Sequence, residues 1–229
     1  MAKKAKKTRA SQQSGFTLIE LLAVITIMGI LMMVAIPAVS RTIENSRRNT
    51  FLNTAKSYIN AIKNSVAADE LKCDGDYVSA VGEGYYYYAF KTKSDDNSAK
   101  DLMEQGGKSS WGNADVVGHV YIYKTVTAAT TSSPAKQNYN YAIVLVDSAG
   151  RGIGEFTDTF VPSKVLDERY LERSSVNTVD GSNRKNFYDA ESADSGLATK
   201  VATASTVWLV NGSETSGIGK APVKCQIAG

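Results

Sequence analysis

Glu20 is the side chain whose position asks for a chemical reason. It sits fifth in the 24-residue apolar stretch Phe16–Val39, which holds no other Asp, Glu, Lys or Arg. A carboxylate in a lipid-facing helix is costly to insert, so its default reading is functional, with a partner still to be supplied. At helical rise the stretch is about 36 Å long, enough to cross a hydrocarbon core with some tilt. Met1–Ser14, ahead of it, carries Lys3, Lys4, Lys6, Lys7 and Arg9 with no acid. A secretory signal peptide also begins basic, and Ala38-Val39-Ser40 offers small residues for its cleavage. Against that reading stand a run far longer than the roughly 7–15 residues of such signals and a carboxylate near its start.

Elsewhere the chemistry-bearing residues do not assemble a reactive set. Gly107-Lys108-Ser109 partly matches a phosphate loop, but the earlier glycine that the motif needs falls at Leu102. Gly150-Arg-Gly-Ile-Gly154 lacks the spacing and the strand–helix setting of a dinucleotide fingerprint. His119 is the only histidine; it completes neither a zinc site nor most triads, and reads as a structural strand residue. Asp74, Asp76 and Glu83 read as turn-forming acids, since their spacing is not that of an EF-hand loop. Asn211-Gly-Ser213 matches the short glycosylation acceptor pattern. The tyrosines at 85–88, 121, 123, 139 and 141 have no basic cluster among them, which favours cross-strand packing over stacking on nucleic-acid bases. No enzyme, cofactor, metal, nucleic acid or small-molecule substrate is expected.

The residues Gly15-Phe16-Thr17-Leu18-Ile19-Glu20, with a basic leader ahead and an apolar helix behind, resemble the amino terminus of type IV prepilins and the related pseudopilins. The resemblance covers about residues 3–71. It implies that a prepilin peptidase cuts after Gly15 and methylates the amino group of Phe16. It also implies that Glu20 serves assembly, by pairing with the amino terminus of a neighbouring copy. In that family a glycine and a proline bracket a segment that unwinds on packing, a role that falls here to Gly29 and Pro37. The implied product is a homo-oligomeric helical filament, a pilus or fimbrium built by an assembly machinery on the cell surface. Its precursor waits in the cytoplasmic membrane as a single-pass protein with its amino terminus inside. A minor pilin, a pseudopilin of a secretion or DNA-uptake apparatus, and a lone membrane-anchored binding domain share the same amino-terminal layout.

These residues need particular elements to hold them. The leader, residues 1–15, is polar and basic. A membrane or filament-core half-helix is expected over 16–39, with Pro37 as a kink or local opening. Phe51, Ala55, Tyr58, Ile59, Ile62 and Val66 recur at three- and four-residue steps, so an amphipathic half should follow over 40–71. Residues 72–229 turn Gly-, Tyr-, Thr- and Ser-rich with period-two patterning. Strands are expected over Tyr85–Thr92, His119–Thr127, Tyr139–Asp147 and Val201–Val210, with Trp208 buried. A short helix capped by Ser98 and stopped by Gly106, weak helical character over Val161–Arg173, and a surface excursion over Ser174–Ser195 complete the pattern. Strands in series after one long helix indicate an α+β fold, the spine packed on an antiparallel sheet.

The formal charge of +3 misleads about partners. Removing the five basic leader residues, which come with no acid, takes it from +3 to −2. The basic excess therefore belongs to a segment retained on the cytoplasmic side, not to a nucleic-acid surface. Cys73 and Cys225 stand at the two ends of the β-rich part. In an exported domain they are either a disulfide closing a loop of about 150 residues or two packed thiols.

Overall fold

The computed structural model describes residues 15–92, 98–103, 107–157, 160–179, 181–193, 202, 206–210, 213–214 and 221–228. The chain divides into two compact units, Met1–Glu44 and Asn45–Gly229. Helix α1 (Leu18–Ala67) contributes its first part to one and its last part to the other.

In the first unit the helix carries no charged residue on any face from Leu21 to Val39. Its most hydropathic window has a mean hydropathy of 2.6 and none of it is buried. Such a surface needs lipid or other protein to cover it.

The second unit is built on a long hairpin. Strands β4 (Val116–Thr127) and β5 (Lys136–Asp147) pair antiparallel along their whole length, from Val116 opposite Asp147 to Thr127 opposite Lys136. β3 (Gly84–Lys91) adds to β4, while β6 (Gly152–Ile153) and β8 (Pro162–Asp167) add to β5. Gly152 is required for that close return, because a Cβ there would fall 2.0 Å from the carbonyl oxygen of Leu145. Around this frame lie β1 (Leu71–Cys73), β2 (Asp76–Tyr77), β7 (Glu155–Phe156), β9 (Val207–Val210), β10 (Ser213–Glu214) and β11 (Val223–Ile227). The order across the sheet is β10-β9-β8-β5-β4-β3-β11-β1-β2, with β6 and β7 on branches. The sheet is mixed, because β3 with β11 and β8 with β9 run parallel.

Alternation along β3 sorts its aromatics onto two faces. Tyr86, Tyr88 and Phe90 face the helix stripe of Phe51, Ala55, Tyr58, Ile59 and Ile62, all buried in one core. Tyr58 stacks on Phe90 with ring centroids 4.0 Å apart and donates its hydroxyl to the Gly107 carbonyl at 2.7 Å. Tyr87 and Ala89 join Val117, Tyr121, Val144 and Val146 in a second core on the opposite face. That face is covered by α3 (Ser182–Ser192), which buries Phe187, Tyr188 and Glu191. The β3 tyrosines on both faces, Tyr86 and Tyr88 on one and Tyr87 on the other, are thus enclosed.

Several sequence expectations need correction. The helix ends at Ala67, short of Leu71, which already belongs to β1. Ser98 caps nothing: its backbone is helical, its side chain makes no cap bond, and its Oγ accepts from Lys91 N instead. The helix it precedes, α2 (Ala99–Leu102), has a single turn, and the expected stop at Gly106 lies outside the described residues. Pro162–Asp167 is strand followed by a 3-10 turn at Glu168–Tyr170, not helix. The supposed surface excursion contains α3. The last strand is β11; of the expected strand 201–210 the described part is Ala202, Thr206 and β9, with Trp208 buried.

Candidate functional site

The amino-terminal turn is organised by two side chains. Helix α1 begins at Leu18, which makes Thr17 its N-cap and Glu20 its third residue. Glu20 Oε2 accepts from Thr17 N at 2.8 Å and from the Thr17 hydroxyl at 2.7 Å; Glu20 N donates back to Thr17 Oγ1 at 3.3 Å. This is a capping box, in which orphan amide donors at a helix start are satisfied reciprocally. The sequence signal for it is Thr17-x-x-Glu20 ahead of an apolar run, which makes Thr17 a functional partner that the charge of Glu20 alone does not reveal. The carboxylate also faces the positive end of the helix dipole. Gly15 and Phe16 precede the helix without regular secondary structure, and Phe16 is 89% exposed.

Farther along, Thr26 donates its hydroxyl back to the carbonyls of Leu22 and Ala23, so this polar side chain is satisfied within an apolar surface. The helix runs through Gly29 and Pro37 without interruption, and a Cβ at Gly29 would meet nothing within 4 Å.

In the second unit Cys73 and Cys225 form a disulfide, with Cα atoms 4.1 Å apart in directly opposed positions of β1 and β11. Of the two alternatives open in the sequence, the crosslink is the one present. It fastens the three-residue β1 to the strand that closes the chain.

His119 is a fully buried residue of β4, tied to other polar groups. Its Nδ1 lies 3.0 Å from Tyr121 Oη and its Nε2 lies 3.2 Å from Glu191 Oε2. Glu191 Oε2 accepts from Nε2–H, while the Nδ1–Tyr121 contact is made by whichever of the two carries the shared proton, with Tyr121 Oη also accepting from Ala202 N at 3.3 Å. The second Glu191 oxygen, Oε1, is buried with no hydrogen bond. With every member buried, this arrangement fastens α3 to the sheet and offers a substrate no access. Asp167 is a second buried carboxyl. Burial raises its pKa, but hydrogen bonds from Arg169 and from Trp208 Nε1 together outweigh burial and hold it below the usual aspartate value.

The remaining sequence candidates stay apart. Ser109 donates to Asp147 at 2.9 Å and Lys108 pairs with Asp115, so neither belongs to a phosphate loop. Among the described residues no group of three or more His, Cys, Asp or Glu is placed to hold a metal ion. The glycosylation pattern at Asn211 lies outside the described residues.

Residues 10–36 match the family described as the prokaryotic N-terminal methylation motif, the processing signal of type IV prepilins and pseudopilins. No curated protein and no solved structure matches the chain. The matched stretch holds the glycine–aromatic junction, Glu20 and most of the apolar run, so the chain carries a prepilin-like signal. That signal implies processing by a prepilin peptidase and assembly into pilus-type filaments. With one apolar helix near the amino terminus, it fits insertion into a membrane followed by a place in a surface filament.

Proposed function

We propose that this chain is a structural subunit of a type IV pilus-like filament. It is made as a single-pass membrane precursor, cut between Gly15 and Phe16, methylated on Phe16 and polymerised through its first helix. The observation that carries the reading is Glu20, a capped carboxylate at the start of a helix whose apolar surface is otherwise uncovered. In a bundle of such helices, the amino group on Phe16 of one copy is a natural partner for Glu20 of another. The pair would act chiefly as a selector of axial register, because burying two charges offsets much of their attraction. Gly29 and Pro37 mark where the helix yields as copies pack, since both lower helical stability. Residues 72–229, with the helix stripe beneath them, form the exposed head.

Expression of the full chain with a pilus assembly system tests this. Sheared, sedimentable fibres containing the chain are the expected outcome. A protein confined to the membrane fraction would instead favour an anchored domain that works alone. Fibres in which the chain is a trace component would favour a minor pilin or pseudopilin.

A further inference from the structure

Tyr85 of β3 and Tyr123 of β4 stand directly opposite each other in the antiparallel register. Cross-strand neighbours of this kind have Cβ atoms about 4.5–5.5 Å apart, so large side chains meet. Here the rings stack, with centroids 4.5 Å apart and planes 12° from parallel. At that separation carbon atoms of one ring lie in van der Waals range of the other, about 3.5–4.0 Å. Trp208 of β9 walls the pair, with centroids 5.9 Å from Tyr85 and 6.3 Å from Tyr123. The indole is itself fixed, because its Nε1–H donates to Asp167 Oδ2 at 2.9 Å. Two phenols are thus held against each other by the sheet and by a clamped tryptophan.

Access sets this pair apart. Tyr87 and Tyr121, opposed on the same two strands, have centroids 6.0 Å apart, are tilted by 31°, and are 3% and 0% exposed. Tyr85 and Tyr123 are only half-buried, and among the described residues neither hydroxyl has a hydrogen-bond partner. Neither oxygen is sealed from water either, so both phenols reach solvent. Burial, with the proximity of Tyr123 adding to it, holds the Tyr85 pKa above the ordinary tyrosine value. At neutral pH it is therefore a phenol, which gives up its proton together with an electron when oxidised. The chain has no free cysteine to intercept an oxidant first.

We propose that Tyr85 and Tyr123 are a modification site, at which a one-electron oxidant fed by hydrogen peroxide joins the two rings as dityrosine. Each phenol loses one electron and one proton. The two radicals bond through a Cε carbon of each ring, and the hydrogens on those carbons pass to the phenolic oxygens, which restores both aromatic rings. In sum two electrons and two protons leave the protein, and one hydrogen peroxide takes them up to become two waters. Stacking replaces the diffusive encounter of two radicals, so coupling within the chain outruns coupling between chains. The product ties β3 to β4 by a carbon–carbon bond, which thiols do not open as they would the Cys73–Cys225 link. The site lies in the second unit alone and does not depend on the filament reading.

Oxidation of the purified full chain in detergent, with hydrogen peroxide and a peroxidase, tests it. The expected product is a monomer lighter by two hydrogen atoms and fluorescent as dityrosine, with tandem mass spectrometry placing the link at Tyr85 and Tyr123. Tyr85→Phe and Tyr123→Phe each keep a ring in the stack and lose no hydrogen bond, so both should fold normally and lose the linked product. Tyr77→Phe removes a phenol that is 38% exposed elsewhere and should leave the product unchanged. Unfolding the chain in denaturant before oxidation should abolish the preference for this pair. Absence of a linked product overturns the assignment. So does a link that survives either change at the pair, or one that joins two chains in place of two strands.

Discussion

Thr17 and Glu20 cap each other: the threonine amide and hydroxyl both donate to one carboxylate oxygen, and the Glu20 amide donates back to the threonine hydroxyl. Glu20 thus has a role within its own copy before any neighbour arrives. The two roles separate on substitution. Glu20→Gln keeps an oxygen for the Thr17 donors but removes the charge, whereas Thr17→Ala loosens the cap and keeps the charge. Fibre yield should collapse for Glu20→Gln and fall only slightly for Thr17→Ala, with both proteins inserted in the membrane at normal levels. If Glu20→Gln assembles normally, the charge is not what selects the neighbour.

Cys73 and Cys225 hold together two strands that are far apart in the chain, with a sequence separation of 152. β1 has three residues and, among the described residues, pairs with β2 and β11 only, so its attachment depends heavily on this bond. The double change Cys73→Ser with Cys225→Ser should cost about 2–5 kcal/mol of stability. Chemical denaturation of the oxidised and serine-substituted proteins measures it; identical midpoints would show that the crosslink contributes nothing.

Glu191 and His119 form the polar fastening between α3 and the sheet. Glu191→Ala strands the buried Nε2–H donor, which should cost about 1–3 kcal/mol for that group, with the vacated volume adding to it. Glu191→Gln preserves an acceptor oxygen and should cost much less. Unfolding midpoints for the two variants compare them directly. Equal losses would mean that volume, and not the hydrogen bond, is what α3 depends on.

Tyrosine burial gives a pH dependence on the alkaline side. Burial, with the nearby Glu191 charge adding to it, pushes Tyr87 up to about 12. Burial and surrounding carboxylates do the same for Tyr188, also to about 12, and burial likewise holds Tyr121 well above the ordinary tyrosine value. In the unfolded chain these groups ionise near the ordinary value of 10. Their contribution is therefore complete below pH 10 and is lost as pH rises from 10 towards 12. Tyrosinate absorbance and circular dichroism followed together should change in one cooperative step in that window. Ionisation of every tyrosine near pH 10 with the fold retained would contradict this assignment.

The parts legible in the sequence were those where a single period governs a long stretch. The 3.6 spacing from Phe51 to Ile62 placed that face of α1 against the sheet, and the alternation of residues 119–127 and 139–147 placed the central hairpin. Short elements were lost because their conformation is set by tertiary contact. Ser98 has the side chain of a cap, yet its Oγ serves the Lys91 amide at the end of β3. α3 is polar enough to read as a surface loop, and only Phe187, Tyr188 and Glu191 reveal its buried face. β11 follows a long stretch of small and polar residues and gains its place by pairing between β3 and β1. At the amino terminus the types and order of residues were enough, since a capping box and an apolar run are local. Whether Cys73 meets Cys225 was a question about distant segments, which local spacing does not answer.

The cut between Gly15 and Phe16 is the step on which the proposed filament role depends, because the Phe16 amino group proposed to pair with Glu20 of another copy exists only after it. Amino-terminal sequencing and intact mass of the protein recovered from sheared fibres test it most directly. The expected result is a chain beginning Phe16-Thr17-Leu18-Ile19-Glu20 with one added methyl group on its amino terminus. A chain that retains Met1–Gly15, or one that begins at Arg41, as conventional signal cleavage after Ala38-Val39-Ser40 would leave it, contradicts the role proposed here.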